Sequence, residues 1–133
     1  MVNNDFLAEK RSKYKFDETI DLLKSKAERG GWSIPAVHDL QQSLARSGKI
    51  VKPVKVIEIC KPEYSGKMLE LNDERIISVM MPCRISVYEK DDGKVYISLL
   101  NAAFLASGLP DKIANVIKDA SDDTFKLVKS VSE

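Results

Sequence analysis

Long apolar segments are missing from this chain of 133 residues. No run approaches the ~18 consecutive apolar residues that a membrane-spanning helix requires. The N-terminal stretch MVNNDFLAEKRSKYKF also has no apolar centre of the kind found in secretion signals. We therefore expect a soluble, cytoplasmic protein with no membrane partner.

An excess of charge of one sign is absent too. The 21 lysines and arginines are almost balanced by 20 acidic residues, which leaves a formal net charge of +1. Nucleic-acid-binding domains normally carry a basic face or stripe, so we expect no nucleic-acid partner. The length and the hydrophobic fraction of 44% suit one domain that buries its own core. We expect a polar N-terminal tail at residues 1–12 and a single α+β domain at residues 13–133.

Cysteine and histidine are scarce. The chain has two cysteines, Cys60 and Cys83, and one histidine, His38. The cysteines lie 23 positions apart, which excludes a CxxC redox motif or a zinc knuckle. A structural zinc site needs four ligands, and the cytoplasm keeps thiols reduced. We therefore expect neither a complete zinc site nor a structural disulfide.

Apolar periodicity predicts the fold. Period-two alternation indicates five strands, at residues 12–16, 32–38, 52–60, 83–90 and 94–100. Helical spacing indicates short helices at residues 17–29, 40–46, 63–71 and 101–107, and a long amphipathic helix that begins near Asp111. Asp17 and Asp39 should cap two of these helices, and Pro62 suits the first position of a third. The order predicts an α+β fold in which the long C-terminal helix packs across an antiparallel sheet, with extra short helices.

Three signals place strands within that sheet. Pro35 cannot donate a ladder hydrogen bond, so the strand at residues 32–38 should be an edge strand or contain a bulge. Both faces of the strand at residues 52–60 carry apolar side chains, which is typical of a central strand. The turn Asp91-Asp92-Gly93 joins the last two strands into a hairpin. Cys83 begins the core-facing side of that hairpin.

Each cysteine lies beside a proline at the end of a β-rich run, in Cys60-Lys61-Pro62 and in Pro82-Cys83. We expect the fold to bring these two ends together. Cys60 would then lie at the N-terminus of a helix, where free amides and the helix dipole lower the pKa of a thiol. The candidate site residues, with nearby ligands or bases included, are Cys60, Cys83, Pro62, Pro82, Glu58 and His38.

Three functions fit this pattern. The first is a soluble domain that binds a ligand, a soft metal or a redox-active sulfur species at Cys60 and Cys83. The sequence does not identify a cofactor. The second is a non-enzymatic dimerisation or interaction module whose cysteines only pack in the core. The third is a thiol enzyme with Cys60 as its nucleophile, for which the sequence identifies no base. The pattern does not decide whether the protein is an enzyme.

The two cysteines belong to a longer set of motifs. The set comprises FDE at residues 16–18, GWSI at residues 31–34, Asp39, KVIEICKP at residues 55–62 and IISVMMPCRISVY at residues 76–88. With these motifs the chain resembles domain-of-unknown-function family 302, from about Tyr14 to Val131. Cys60 matches the cysteine of a Gly-Ala-Cys-Asn-Pro-like motif, and Cys83 matches that of a Leu-Pro-Cys-Asn-like motif. The chain departs from the family at Lys61 and Arg84, where the pattern has asparagine.

The resemblance carries its own expectations. It implies a fold similar to the TATA-binding-protein-like group, with the order β-α-β(4)-α, and self-association into homodimers. It does not imply DNA binding, because fold does not determine function. It brings no known activity to this chain.

Overall fold

A five-stranded antiparallel sheet is the centre of the molecule. The computed structural model describes residues 4–133. Its strands are β1 (Leu7–Arg11), β2 (Ser33–Asp39), β3 (Val54–Cys60), β4 (Cys83–Glu89) and β5 (Val95–Leu100). They lie side by side in the order β1-β5-β4-β3-β2, and every neighbouring pair is antiparallel.

Helices connect the strands and cover one face of the sheet. They are α1 (Phe16–Arg29), α2 (Leu40–Arg46), α3 (Pro62–Leu69), α4 (Ala102–Leu105) and α5 (Asp111–Lys129), with 3₁₀ segments at Asp73–Met80 and Ala106–Gly108. The apolar stripe of α1 and the C-terminal part of α5 pack against the sheet in one core cluster. The N-terminal part of α5 packs through Ile113 and Ile117 in a second cluster with Met68 and Ile77. The predicted α+β architecture with a long C-terminal helix is confirmed. No helix within residues 4–133 is long and apolar enough to cross a membrane.

The core lies between the sheet and these two helices. Alternation along the central strands sends one set of side chains inward, and this set is fully buried: Ile57, Ile59, Ile85, Val87 and Ile97. The ladder aligns them in rows across the sheet, since Ile85 pairs with Ile57 on one side and with Leu99 on the other. The opposite face carries half-buried polar side chains and the stacked rings of Tyr88 and Tyr96.

The sequence placed the first strand wrongly. The predicted strand at residues 12–16 is absent, and β1 lies earlier, where it pairs with β5 from Leu7–Leu100 to Arg11–Tyr96. Residues 7–11 of the predicted tail are therefore part of the sheet, whereas residues 1–3 lie outside the described residues. The sequence LAEKR has little apolar alternation because this edge strand is held by backbone pairing more than by burial.

The internal order of the sheet agrees with the sequence. β2 is an edge strand, and its register with β3 shifts between Ser33 and Ala36, on either side of Pro35. Pro35 has no backbone N–H to donate. Because β2 is paired on one side only, this absence does not remove a hydrogen bond from a central strand. β3 lies between β2 and β4, as expected of a strand with two apolar faces. Gly93 adopts a φ of 76°, which the tight β4–β5 turn requires and which glycine tolerates.

The two predicted helix caps differ in outcome. Asp39 caps α2, because its Oδ1 atom accepts a hydrogen bond from the Gln42 backbone amide at 2.9 Å. Asp17 is not a cap, since α1 begins one residue earlier at Phe16 and Lys15 occupies the cap position. Asp17 instead lies in the first turn of α1, where its negative charge interacts favourably with the positive end of the helix dipole.

The Asp39 cap gives a measurable prediction. Asp39→Ala should destabilise α2 by ~1 kcal/mol, because the Gln42 amide loses its acceptor. Hydrogen exchange at the Gln42 amide should then become roughly fivefold faster. Asp39→Asn is the control, since asparagine caps about as well as aspartate and should leave the exchange rate near that of the native protein. Equal exchange rates in the two variants would contradict the cap.

Candidate functional site

The two cysteines are neighbours at one end of the sheet. Cys60 is the last residue of β3, and α3 begins two residues later at Pro62. Cys83 is the first residue of β4, where the ladder pairs it with Ile59. The antiparallel pairing of β3 and β4 therefore brings the end of one strand beside the start of the next.

Both cysteines line one small cavity. Its volume is about 40 Å³, and Met68 of α3 and Met81 before β4 line it too. The chain contains two cysteines and four methionines, so four of its six sulfur-containing side chains surround this single space. Pro82 also lines it, whereas Pro62 is an exposed residue at the first turn of α3.

An aromatic and charged wall closes the cavity toward α5. The rings of Trp32 and Tyr64 lie 5.7 Å apart between centroids. The Nζ atom of Lys61 lies 5.0 Å from the first ring and 5.3 Å from the second, within the range of cation–π attraction. Lys61 also forms an ion pair with Asp123 of α5 at 2.7 Å. The departure from the family pattern at Lys61 thus links the β3–α3 junction to the C-terminal helix.

Tyr64 completes this wall. Its hydroxyl donates a hydrogen bond to Asp123 Oδ2 at 3.1 Å. Burial, together with that hydrogen bond and the negative charge of Asp123, raises the pKa of Tyr64 to about 12. The phenol therefore remains protonated at physiological pH and acts as a donor that orients Asp123.

The thiols have an apolar environment. Burial raises the pKa of the Cys83 thiol, and the nearby sulfur of Cys60 raises it further. The Cys60 sulfur lies 3.6 Å from the Ser65 hydroxyl, one turn into α3. A protonated, half-buried Cys83 suits a ligand that displaces the proton better than it suits a nucleophile that must be ionised beforehand.

His38 and Glu58 form a separate cluster. The His38 Nε2 atom lies 3.0 Å from Glu58 Oε2, and the Arg84 Nε atom lies 3.7 Å from the same oxygen. His38 pairs with Val56, which precedes Cys60 by four residues, or roughly 13 Å along a strand. Neither His38 nor Glu58 lines the cavity. The structure therefore gives Cys60 no neighbouring histidine base.

Sequence reasoning missed two of the four sulfur residues. Met68 carried no signal beyond helical spacing in α3. Met81 follows Met80 in the sequence, and adjacent methionines of this kind are more typical of core packing than of a ligand set. The structure separates them, because Met81 lines the cavity and Met80 does not. The adjacency of Met81 to Pro82-Cys83 was the one usable signal.

Together, the fold and the cavity define a class of small α+β proteins. In this class, helices cover one face of an antiparallel sheet, and two cysteines lie where β3 and β4 meet. The family model described as "Domain of unknown function DUF302" matches residues 8–131, and the chain belongs to this family. The resemblance inferred from the motifs is confirmed. The family description assigns no activity.

Two known proteins are similar to this chain. An uncharacterized protein of Aquifex aeolicus (strain VF5) is 27% identical over 121 residues, which cover 87% of this chain and 76% of that protein. The crystal structure of an uncharacterized conserved DUF302 protein from Bacillus stearothermophilus superimposes with a TM-score of 0.86. That comparison covers 96% of this chain and 99% of the other at 17% identity, and it supports the fold alone.

Proposed function

We propose that the protein binds one soft monovalent metal ion, Cu(I), through the thiolates of Cys60 and Cys83. Met68 and Met81 supply thioether ligands from the other walls of the same cavity. The observation that carries this proposal is the concentration of four sulfur side chains around about 40 Å³ of space. Thiolate and thioether sulfurs are soft ligands, which select Cu(I) over harder ions.

The size of the cavity favours an ion over an organic ligand. A water molecule occupies ~30 Å³ in the liquid, and benzene enters a cavity of ~150 Å³. The space beside Cys60 thus suits one ion and excludes an organic molecule. Burial raises the pKa of the Cys83 thiol, which disfavours Cys83 as the nucleophile in a transfer of sulfur.

The set of side chains also favours Cu(I) over Zn(II). Zinc sites in proteins use four ligands drawn from cysteine, histidine and carboxylates. Among residues 4–133, no three such side chains form a group that suits a metal ion. Binding of Cu(I) needs only the two thiols, which release two protons as the two metal–sulfur bonds form. A reducing compartment such as the cytoplasm keeps both thiols available.

The experiment is an anaerobic titration of the reduced protein with Cu(I) in the presence of the chromophoric chelator bicinchoninate. We expect the protein to withdraw one Cu(I) per chain from the chelator. A parallel titration with Zn(II) and a zinc-sensitive dye of micromolar affinity is the control, and the dye should keep its zinc. A protein that leaves Cu(I) with the chelator would refute the proposal.

A second function, self-association through a homodimer contact, has one favourable observation. Ile76 is 77% exposed and Val79 is 83% exposed on the 3₁₀ segment Asp73–Met80. Two large aliphatic side chains presented to solvent suit a contact with a second copy of the chain. If this is the whole function, the protein sediments as a dimer and the Cu(I) titration fails.

A further inference from the structure

A second, larger cavity lies beside the small one that both cysteines line. Its volume is about 180 Å³, and it extends between β4, β5, α5 and the segment Asp73–Met80. Its walls are mostly apolar and include the aliphatic side chains of Ile77 and Ile117. Cys60 does not line it, and the Cu(I) site proposed above makes no use of its volume. This space, unlike the small cavity, is large enough for an organic molecule.

Three methionines line the larger cavity. They are Met68, Met80 and Met81, and the chain has four methionines in all. A methionine sulfur makes favourable contacts with an aromatic ring at about 5 Å, and its flexible side chain adapts to the shape of a ligand. No aromatic side chain within residues 4–133 lines this cavity. A bound ring would therefore supply the contact that these thioethers favour.

Two hydroxyls of α5 lie in this apolar wall. Ser121 is only 4% exposed and lines the cavity, and its hydroxyl makes no hydrogen bond within residues 4–133. No fully enclosed side-chain oxygen in that part of the chain lacks a partner, so the Ser121 hydroxyl reaches the cavity surface. Thr124 also lines the cavity, and its hydroxyl donates to the Ser121 carbonyl at 2.8 Å. The Ser121 hydroxyl can therefore donate to a ligand, and the Thr124 oxygen can still accept from one.

Within residues 4–133, no charged group faces this cavity. Arg84 is the one charged residue along its walls, but its guanidinium lies on the opposite face of the sheet. There Arg84 pairs with Glu58 in the β3–β4 ladder, and its Nε atom lies 3.7 Å from Glu58 Oε2, beside His38. An ion that entered the cavity would lose its hydration and gain no counter-ion, so the walls favour a neutral molecule.

We infer that this cavity binds a small neutral aromatic alcohol of the phenol class. A cavity of ~150 Å³ with apolar walls admits a benzene ring, and the space here is slightly larger. The ring lies among the aliphatic and thioether side chains. Its hydroxyl accepts a hydrogen bond from Ser121 and donates one to Thr124, which a hydrocarbon of the same shape cannot do.

The test is an NMR titration of metal-free reduced protein whose methionine methyl groups carry ¹³C. A ring in the cavity should shift the methyl resonances of Met68, Met80 and Met81 through its ring current. Phenol should give saturable shifts, and toluene, which has a methyl group in place of the hydroxyl, should bind more weakly. Benzoate is charged and should not bind. An absence of saturable shifts with phenol, or tighter binding of benzoate than of phenol, would overturn the inference.

Ser121→Ala separates the hydrogen bond from the apolar contacts. It should weaken phenol binding roughly fivefold and should not weaken toluene binding. Ser25→Ala is the matched control, because it removes an exposed hydroxyl of α1 that lies outside the cavity. Phenol affinity that is the same in the two serine variants would contradict the assignment, and so would a Ser121→Ala protein that loses phenol and toluene affinity equally.

Filling the cavity provides an independent check. Ala102 lines the larger cavity and not the small one, so Ala102→Leu should abolish binding of both phenol and toluene. Cys60→Ser alters only the small cavity and should leave phenol binding unchanged, so this result does not depend on the Cu(I) site. Phenol binding that survives Ala102→Leu in a folded variant would place the ligand elsewhere and overturn the inference.

Discussion

Replacing both cysteines with serine should lower the affinity for Cu(I) by more than ~100-fold. Loss of groups that merely support metal ligands costs roughly 10- to 100-fold in affinity, and this variant removes both thiolates. Serine is close to cysteine in size, so the double variant Cys60→Ser/Cys83→Ser should remain folded. Competition with bicinchoninate measures the affinity, and circular dichroism reports the fold. Native Cu(I) affinity in the folded double variant would refute the sulfur site.

The methionines supply a matched pair of variants for the same measurement. Met81→Leu removes a thioether from the small cavity and should weaken Cu(I) binding by about tenfold. Met80→Leu makes the same change at the preceding residue, which does not line that cavity, and should have no effect on Cu(I) affinity. Equal Cu(I) affinities in the two variants would show that the Met81 thioether is not a ligand and that the site consists of Cys60 and Cys83 alone.

Ile59→Ala should destabilise the protein by ~3 kcal/mol. Ile59 is 0% exposed on the central strand β3, where it opposes Cys83. Truncation of a buried isoleucine to alanine costs roughly 2–5 kcal/mol because apolar contacts are lost and a cavity remains. The existing small cavity, which Ile59 lines, would grow without closing. Urea unfolding measures the change in the free energy of unfolding.

Ile50 provides the control for that measurement. It is 97% exposed, so the identical substitution Ile50→Ala removes almost no buried surface. We expect its free energy of unfolding to lie within about 0.5 kcal/mol of the native value. A loss of less than ~1 kcal/mol in Ile59→Ala would mean that β3 is not a central, fully covered strand.

Local patterns were sufficient for the hairpin and the orientation of its side chains. Apolar and polar residues alternate strictly along the strand that begins at Cys83. The turn before Val95 contains Gly93, and glycine tolerates the positive φ that this turn requires. Because strand periodicity is two, one correct register fixes the inward direction of every alternate residue. The edge position of β2 followed from Pro35 for an equally local reason.

The sulfur cavity depends on contacts that local patterns do not contain. Met68 lies on α3, and Met81 follows a 3₁₀ segment that the sequence did not predict. The packing of α3 against α5 and against that 3₁₀ segment brings them toward the cysteines. The Lys61–Asp123 ion pair, which joins residues 62 positions apart, belongs to this packing. Apolar periodicity shows which face of a helix or strand is buried, but it does not show how far that element lies from another one.

Trp32 gives the small cavity an optical property. It is the one tryptophan of the chain, and it forms part of the wall that Cys60 and Cys83 share. Its indole therefore emits from a buried place beside the two thiols, and no second indole obscures the signal. The protein thus carries an intrinsic fluorophore at the position where a heavy ion would quench it.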